Sequence, residues 1–402
     1  MSAWNYEGEP RHFNSKYKGV GIYMKFLHTA DLHIGRKIFE QSLIEDQKYI
    51  LDKIIGIALT EKVDAVVIAG DIYDRAIPST EAVTLLDDFY TRLIQAGIKV
   101  IAVSGNHDSP ERVAFADRIL EGQGLHLAGG YQEPLKTVTL EDEFGPVTFV
   151  CMPFVKPAVV GATNSAEAVE AILGRTPMAM DLRSRYVLVT HFFVSGENGE
   201  NPELSDSEND AQVGGLDVVP AGMFDAFAYV ALGHIHKPQH MGMGKVYYSG
   251  SPLKYSFSEA KQEKGVQIVE MEQEIKVRRV PLTPLHDMRC IRGKLADLIS
   301  PEVVAANSTG VEDYLQVTLT DTEELIDPMG TLRSVYPNVL QIIMEKNCVD
   351  EDGVYESRMI GERKSTSALF GEFYEMLKGE PMDERRLEIV KEAADKAERN
   401  TL

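Results

Sequence analysis

Past a polar and aromatic stretch at residues 1–23, the chain alternates short apolar runs with longer amphipathic ones. KFLHTA (25–30) and VDAVVIAG (63–70) have strand length, and the second is rich in β-branched residues. Between them, SLIEDQKYILDKIIGIALTEK (42–62) repeats apolar residues at helical spacing. STEAVTLLDDFYTRLIQAG (79–97) predicts a second helix, with Ser79 and Thr80 as cap residues, Glu81 in its first turn and Gly97 at its end. IKVIAVSG (98–105) is the next strand. Such a β-α-β-α-β succession calls for parallel strand pairs with helices packed on the sheet.

A more β-like stretch follows. LKTVTLEDEFGPVTFVCMPF (135–154) predicts a hairpin turning near Glu143–Pro146. RYVLVTHFF (185–193) and AFAYVALGHIH (226–236) are two further buried strands, separated by a long acidic, Gly-rich loop at 195–215. KVYYSGSPLKYSFSE (245–259) and KGVQIVEME (264–272) close this block. Beyond Pro281–Leu285, MRCIRG, DYLQVTLTD and VLQIIME alternate with a helix candidate at Asp327–Tyr336, a small α/β unit. In the tail, Leu369, Phe370, Phe373 and Leu377 form one apolar stripe, and Leu387, Val390, Ala394 and Ala397 another, on either side of Gly379 and Pro381. Together they predict a helical hairpin, which either packs on its own protein or docks a partner.

Composition adds limits. The chain is long enough for two or three domains, with 402 residues, 44% of them hydrophobic. A net charge of −21 is the wrong sign for a protein that grips nucleic acid unaided, so any such role needs bound cations or a basic partner. Cys151, Cys290 and Cys348 are scattered and odd in number, which fits a reducing cytoplasm and neither a disulfide framework nor a thiolate metal site. No apolar run approaches the roughly 20 residues of a membrane helix. Residues 1–23 have no signal-peptide core and read as an extension ahead of Met24.

The chemistry lies just after the strands. Asp31 and His33 follow the first, Asp71 the second, and Asn106, His107 and Asp108 the third; His191 follows the RYVLVT strand, and His234 and His236 the AYVALG strand. Ligands in open α/β sheets bind beyond the carboxyl ends of strands. Singly, each piece has a plain structural reading: a cap, a turn or a half-buried histidine. Five strands delivering such side chains together do not. The donors are imidazoles and oxygens with no thiolate, which suits Mn²⁺, Fe²⁺ or Zn²⁺ in five- or six-coordination. Seven donors exceed what one ion accepts while leaving room for substrate. Two ions sharing a carboxylate fit better, an arrangement that clamps a phosphoryl group in in-line displacement. His234 and His236, two residues apart, would share a face if the strand continued through them.

In order, DLH, GDIYD, GNHD, TH and GHIH resemble the motifs of the calcineurin-like metallophosphoesterases. ADLHIGR, AGDIYDR, SGNHDSPER, SDSEN, VALGHIHKPQ and YSGSPLKYSFSE resemble the bacterial SbcD nuclease branch more closely, over about residues 24–402. The resemblance implies an α/β fold: a layered mixed-sheet sandwich flanked by helices (24–285), a small α/β capping domain (286–350) and a C-terminal helical hairpin (351–402). It implies that Asp31, His33 and His236 hold one metal, that Asn106, His191 and His234 hold the other, and that Asp71 bridges them. His107 would face the scissile phosphate, with Asp108 orienting its ring. Asp74 stands where some relatives carry a histidine, and receives no catalytic role. Arg36 and Arg75 are either DNA-phosphate contacts or ordinary surface arginines.

The implied activity is that of a metal-dependent DNA nuclease, a 3′ to 5′ double-strand exonuclease and a single-strand and hairpin endonuclease. The implied cofactors are two divalent ions, Mn²⁺ ahead of Mg²⁺. The implied partner is the ATPase SbcC, in a heterotetramer around an SbcD dimer, with the cap helping to choose DNA geometry and the tail gripping the partner's coiled coil. The chain has no GxxxxGK[ST] motif for binding ATP itself. Two rivals remain at this level. One is a phosphoesterase acting on nucleotides or phosphoproteins, which would rarely need a cap and a docking tail. The other is a scaffold that has lost catalysis, which would have lost donor residues.

Overall fold

The computed structural model describes residues 23–176, 185–196, 199–208, 218–242, 244–306 and 310–345, with a few positions beyond. The chain divides into two units, Met1–Glu345 and Lys346–Leu402. The tail hairpin expected over 351–402 lies almost wholly outside the described residues, as do residues 1–22.

Within the first unit, two six-stranded sheets face one another. One has the strand order Lys276–Pro281, Gly265–Glu270, Lys25–Thr29, Ala65–Ala69, Lys99–Val103, Leu125–Ala128. Its last four strands run parallel, as the β-α-β-α-β reading required. The other has the order Gln239–Met241, Val246–Tyr248, Tyr229–Gly233, Arg185–His191, Gly145–Met152, Lys136–Asp142. The hairpin foreseen at 135–154 forms its edge.

Strand alternation sorts the apolar side chains into three layers. Phe26, Val67 and Ile101 from the first sheet meet Phe149, Val187 and Tyr229 from the second, in a core between the sheets. Phe26 packs edge-on against Phe149 and Tyr229. The alternate residues Leu27, Val66, Ile68 and Val100 face outward, under the helices Ile44–Glu61 and Thr80–Gln95. On the far side, Val150, Leu188 and Val230 pack under the helix Ser165–Gly174. Ser79 caps the second helix as its position predicted, its side chain accepting from Ala82 N.

Met288–Gly293, Tyr314–Leu319 and Val339–Met344 form a separate parallel sheet with its own core around Leu315, Val317, Leu332 and Val339. It is fastened to the first helix by Asp46. That buried carboxylate accepts from His286 N at 3.1 Å and from the Tyr314 hydroxyl at 2.8 Å.

Candidate metal centre

The strands Lys25–Thr29, Ala65–Ala69 and Lys99–Val103 of one sheet, and Arg185–His191 and Tyr229–Gly233 of the other, converge at one end of the sandwich. The sequence pattern predicts five strand ends on one sheet edge; the donors instead come from facing edges of two sheets. Three of the five segments turn sharply on leaving their strands. Asp31, His33 and Asp71 all have positive φ (53°, 42° and 47°), as does Gly70 (88°). The DLH and GDIYD loops then zip together, Asp31 N donating to Gly70 O at 3.1 Å and His33 N to Asp71 O at 2.9 Å. Glycine is needed beside them. A Cβ at Gly105 would lie 2.1 Å from Asp71 Oδ1, and one at Gly233 would lie 1.9 Å from Ala69 O.

His234 and His236 do not continue their strand, which ends at Gly233. His234 has φ 96°, so the backbone leaves the extended conformation at the first histidine and the shared face expected of a continuing strand is lost. His236 Nε2 lies 3.2 Å from His33 Nε2. His234 Nδ1 lies 3.1 Å from Asn106 Oδ1, and His191 Nε2 lies 3.0 Å from that same oxygen. Asp71 stands between the two sets. Its Oδ2 is 3.3 Å from His191 Nε2 and 3.6 Å from His33 Nε2. Asp31, His33 and His236 have donor atoms near enough to share an ion, as do Asp31, Asp71 and His191, and His33, Asp71 and His107.

Hydrogen-bond accounting shows that these contacts need either a cation or added protons. His191 Nδ1 faces Ala69 O at 2.8 Å, and a carbonyl only accepts, so Nδ1 carries a hydrogen. In the neutral ring Nε2 is then a lone pair, pointing at the acceptors Asn106 Oδ1 and Asp71 Oδ2. His236 repeats the pattern. Its Nδ1 faces the Glu259 carboxylate at 3.2 Å, which leaves the Nε2 lone pair aimed at His33. Asp31 Oδ2 is buried with no hydrogen-bond partner. Converging lone pairs and an orphaned carboxylate oxygen in a buried site fit a divalent cation, with a proton as the substitute.

The titration directions agree. Burial pushes Asp31 up to about 7, against the pull of His191 and His236. Burial also pushes Asp71 upward, but His191, His33 and His107 outweigh it and hold this carboxyl well below its ordinary range. Burial opposes the charge on His191, yet Asp71 and Asp31 raise it to about 9. His234 is lowered by burial to about 3, and His33 falls for the same reason.

His107 sits at the mouth, its side chain 39% exposed. Asp108 does not touch its ring as expected. The Asp108 carboxylate instead accepts from the main-chain N–H groups of Ile72, Tyr73 and Gly105, at 2.9–3.0 Å. The ring is oriented by Asp74, whose main-chain oxygen accepts from His107 Nδ1 at 3.1 Å. Arg36 is paired to the Asp74 carboxylate at 2.8 Å, and the far more exposed Arg75 lies 3.4 Å from it. Sequence reasoning missed Asp74 as a positioning group, and missed Ser207, Glu208, Glu259 and Lys264 around His236. The stretches SDSEN and YSFSE stand out only as resemblances, and nothing in their spacing points to a shared target.

Comparison with known proteins places this geometry. The profile of the calcineurin-like phosphoesterase family matches residues 24–238. A second profile, described as the type 5 capsule protein repressor C-terminal domain, matches residues 284–377. The SbcD component of nuclease SbcCD from Staphylococcus saprophyticus is 32% identical over 366 residues, 89% of this chain and 94% of that one. Its counterpart from Staphylococcus epidermidis is 30% identical over 378 residues, 92% of this chain and 97% of its own. Motif order, two-sheet fold and full-length similarity lead to one assignment: the chain belongs to the calcineurin-like phosphoesterases, in the family of SbcD components of SbcCD nucleases.

Proposed function

We propose that the chain is the nuclease subunit of an SbcC–SbcD complex and hydrolyses phosphodiester bonds in DNA with the help of two divalent ions. The observation that carries the metal reading is the convergence of buried lone pairs, with Asp71 placed between two sets of donors. Asp31, His33 and His236 would hold one ion, Asn106, His191 and His234 the other, and Asp71 both. Four imidazoles favour Mn²⁺ over Mg²⁺. Such ions supply charge neutralisation at the phosphate oxygens and a lowered pKa for the attacking water.

The protein's own groups do the rest. The two sheets fix the donors so that no reorganisation is needed when charge develops. Asp74 O holds His107 through Nδ1, which leaves Nε2 facing the centre, 4.0 Å from Asp71 Oδ2. From there Nε2 would donate a hydrogen bond to a phosphate oxygen or to the leaving oxygen. Asp108 ties the GNHD loop to the GDIYD loop, so that His107 and Asp71 keep their relative position. Residues 286–350 would act as a cap selecting DNA ends and hairpins. Residues 351–402 would dock the coiled coil of SbcC in a cytoplasmic heterotetramer built on a dimer of this chain.

The test is incubation of the purified chain, with Mn²⁺ and then Mg²⁺, with a labelled DNA hairpin and with a small chromogenic phosphodiester, beside the Asp71→Asn variant. Metal-dependent DNA cutting that the variant loses is the expected result. Turnover of the small ester alone, with DNA untouched even after SbcC and ATP are added, would move the chain to a different phosphodiester substrate.

A further inference from the structure

The two sets of donors are held in different ways. His191 belongs to a central strand, and its ring is fixed by the Ala69 carbonyl of the facing sheet. His236 lies past the end of its strand. What fixes it comes largely from two segments outside the sheets.

Glu208 Oε1 accepts the His236 main-chain N–H. Lys264 Nζ donates to the His236 carbonyl at 2.9 Å. Glu259 Oε1 takes the Nδ1 position at 3.2 Å, and Ser207 Oγ, 3.0 Å from Nδ1, donates to that carboxylate at 2.7 Å. Thus each polar atom of His236 except Nε2 is gripped by this group. Lys264 Nζ and Glu259 Oε2 pair at 2.6 Å, and both side chains are almost wholly buried. Glu208 is buried too, and its second oxygen accepts from Ser205 N at 2.6 Å and Ser205 Oγ at 3.1 Å, folding residues 205–208 around it. Burying three ionisable side chains around one histidine is costly. A histidine whose Nε2 must be aimed at a cation gives that cost a purpose.

We propose that Ser207, Glu208 and the Glu259–Lys264 pair form a positioning clamp for His236, so that one metal position and the fold of residues 205–208 depend on each other while the other position is independent. The inference rests on the metal reading above. Because linkage is reciprocal, loosening the clamp weakens the ion, and removing the ion loosens the segment.

The experiment is Mn²⁺ titration of the metal-free full-length chain, with free Mn²⁺ and the spin-coupled pair both read by electron paramagnetic resonance. His236→Ala is the control and is expected to lose one ion; if it binds two as tightly as the wild type, the metal reading itself fails. Glu208→Gln is expected to weaken one site about 10–100-fold, leave the other unchanged and suppress the pair signal at limiting Mn²⁺. Glu259→Gln strands a buried ammonium, so Glu259→Gln/Lys264→Met is measured beside it and should show the same one-site loss with the metal-free melting temperature preserved. Proteolysis within residues 199–208 should slow on adding Mn²⁺ to the wild type and not to His236→Ala. Two unaffected sites in Glu208→Gln and in the double variant, two equally weakened sites, or protection that survives in His236→Ala would each overturn the clamp.

Discussion

Asp31, His33, Asp71 and His234 all adopt the left-handed backbone region that side chains with a Cβ avoid. Each such residue costs on the order of 1 kcal/mol, a strain that folding accepts where it aims a side chain. His107 is different: it is not among the seven ligands proposed here, and its ring is held by the Asp74 carbonyl and by edge-on packing with His33. His107→Ala should therefore lower DNA cleavage by about 10²–10⁴-fold while Mn²⁺ affinity stays near that of the wild type. Parallel loss of bound metal, measured on the same preparation, would refute the division of roles. Titration at the residue scale is equally testable. In the metal-free protein His191, at about 9, holds its proton at pH 7, and Asp31, at about 7, holds part of one. A cation must displace both. Mn²⁺ binding at pH 7 should release about one to two protons, and affinity should climb as pH rises toward 9. Calorimetry in buffers of different ionisation enthalpy reads the number directly, and a value of zero would contradict the assignment of His191 as a ligand.

At the scale of elements, the small sheet joins the sandwich through Met288 and Tyr314, which pack in the main core, and through a polar tie at Asp46. Asp46 is buried and accepts from His286 N, from the His286 ring at 3.1 Å and from Tyr314 OH at 2.8 Å. Tyr314→Phe removes one donor from a buried carboxylate and should destabilise the protein by roughly 1–3 kcal/mol. Chemical denaturation checks the size, and an unchanged midpoint would mean that water replaces the hydroxyl. The strands around this join and the long helices were legible in the sequence, because their apolar periods are long and clean. The strand Leu125–Ala128 was not: four residues carry too little pattern. Nor was Lys276–Pro281, an edge strand in which no residue is fully buried and two adjacent arginines stand between the valines. Strand membership also escaped the sequence. Periodicity says that a run is a strand, yet it cannot say that the strands ending at Thr29 and at His191 lie in different sheets. The donors themselves were readable because each follows a buried strand directly. Their supports were not: Glu259 reaches His236 across 23 residues and Asp74 reaches His107 across 33, and neither spacing has a local rule behind it.

For the whole molecule, a charge of −21 makes the buried acidic and imidazole-lined site a point of electrostatic tension, and the metal-free protein relieves it with protons. His191 contributes most visibly. Its folded value of about 9 lies above its ordinary 6.5, so the stability it brings is fully present below about pH 6.5 and is lost as pH rises through 9. A shift of that size corresponds to about 3 kcal/mol. Asp31 acts in the same direction over a lower window, since burial raises it from 3.8 to about 7 and its neutral form is the one the fold prefers. A bound cation takes over from these protons, so the loaded protein should escape that loss. The melting temperature of the chelated protein should then fall between pH 6.5 and 9 while that of the Mn²⁺-loaded protein, kept anaerobic, changes little. Their separation should widen by roughly 5 °C across the interval. Replacing His191 by Gln removes the proton-holding group, so in that variant the metal-free protein should already be destabilised at pH 6.5 and should lose much of its further pH dependence. Scanning calorimetry of both forms at three pH values decides the matter. A separation that stays constant with pH would mean that the protons at this site do not substitute for the ions, and that the metal-free fold tolerates its buried charges by some rearrangement of the two sheet edges.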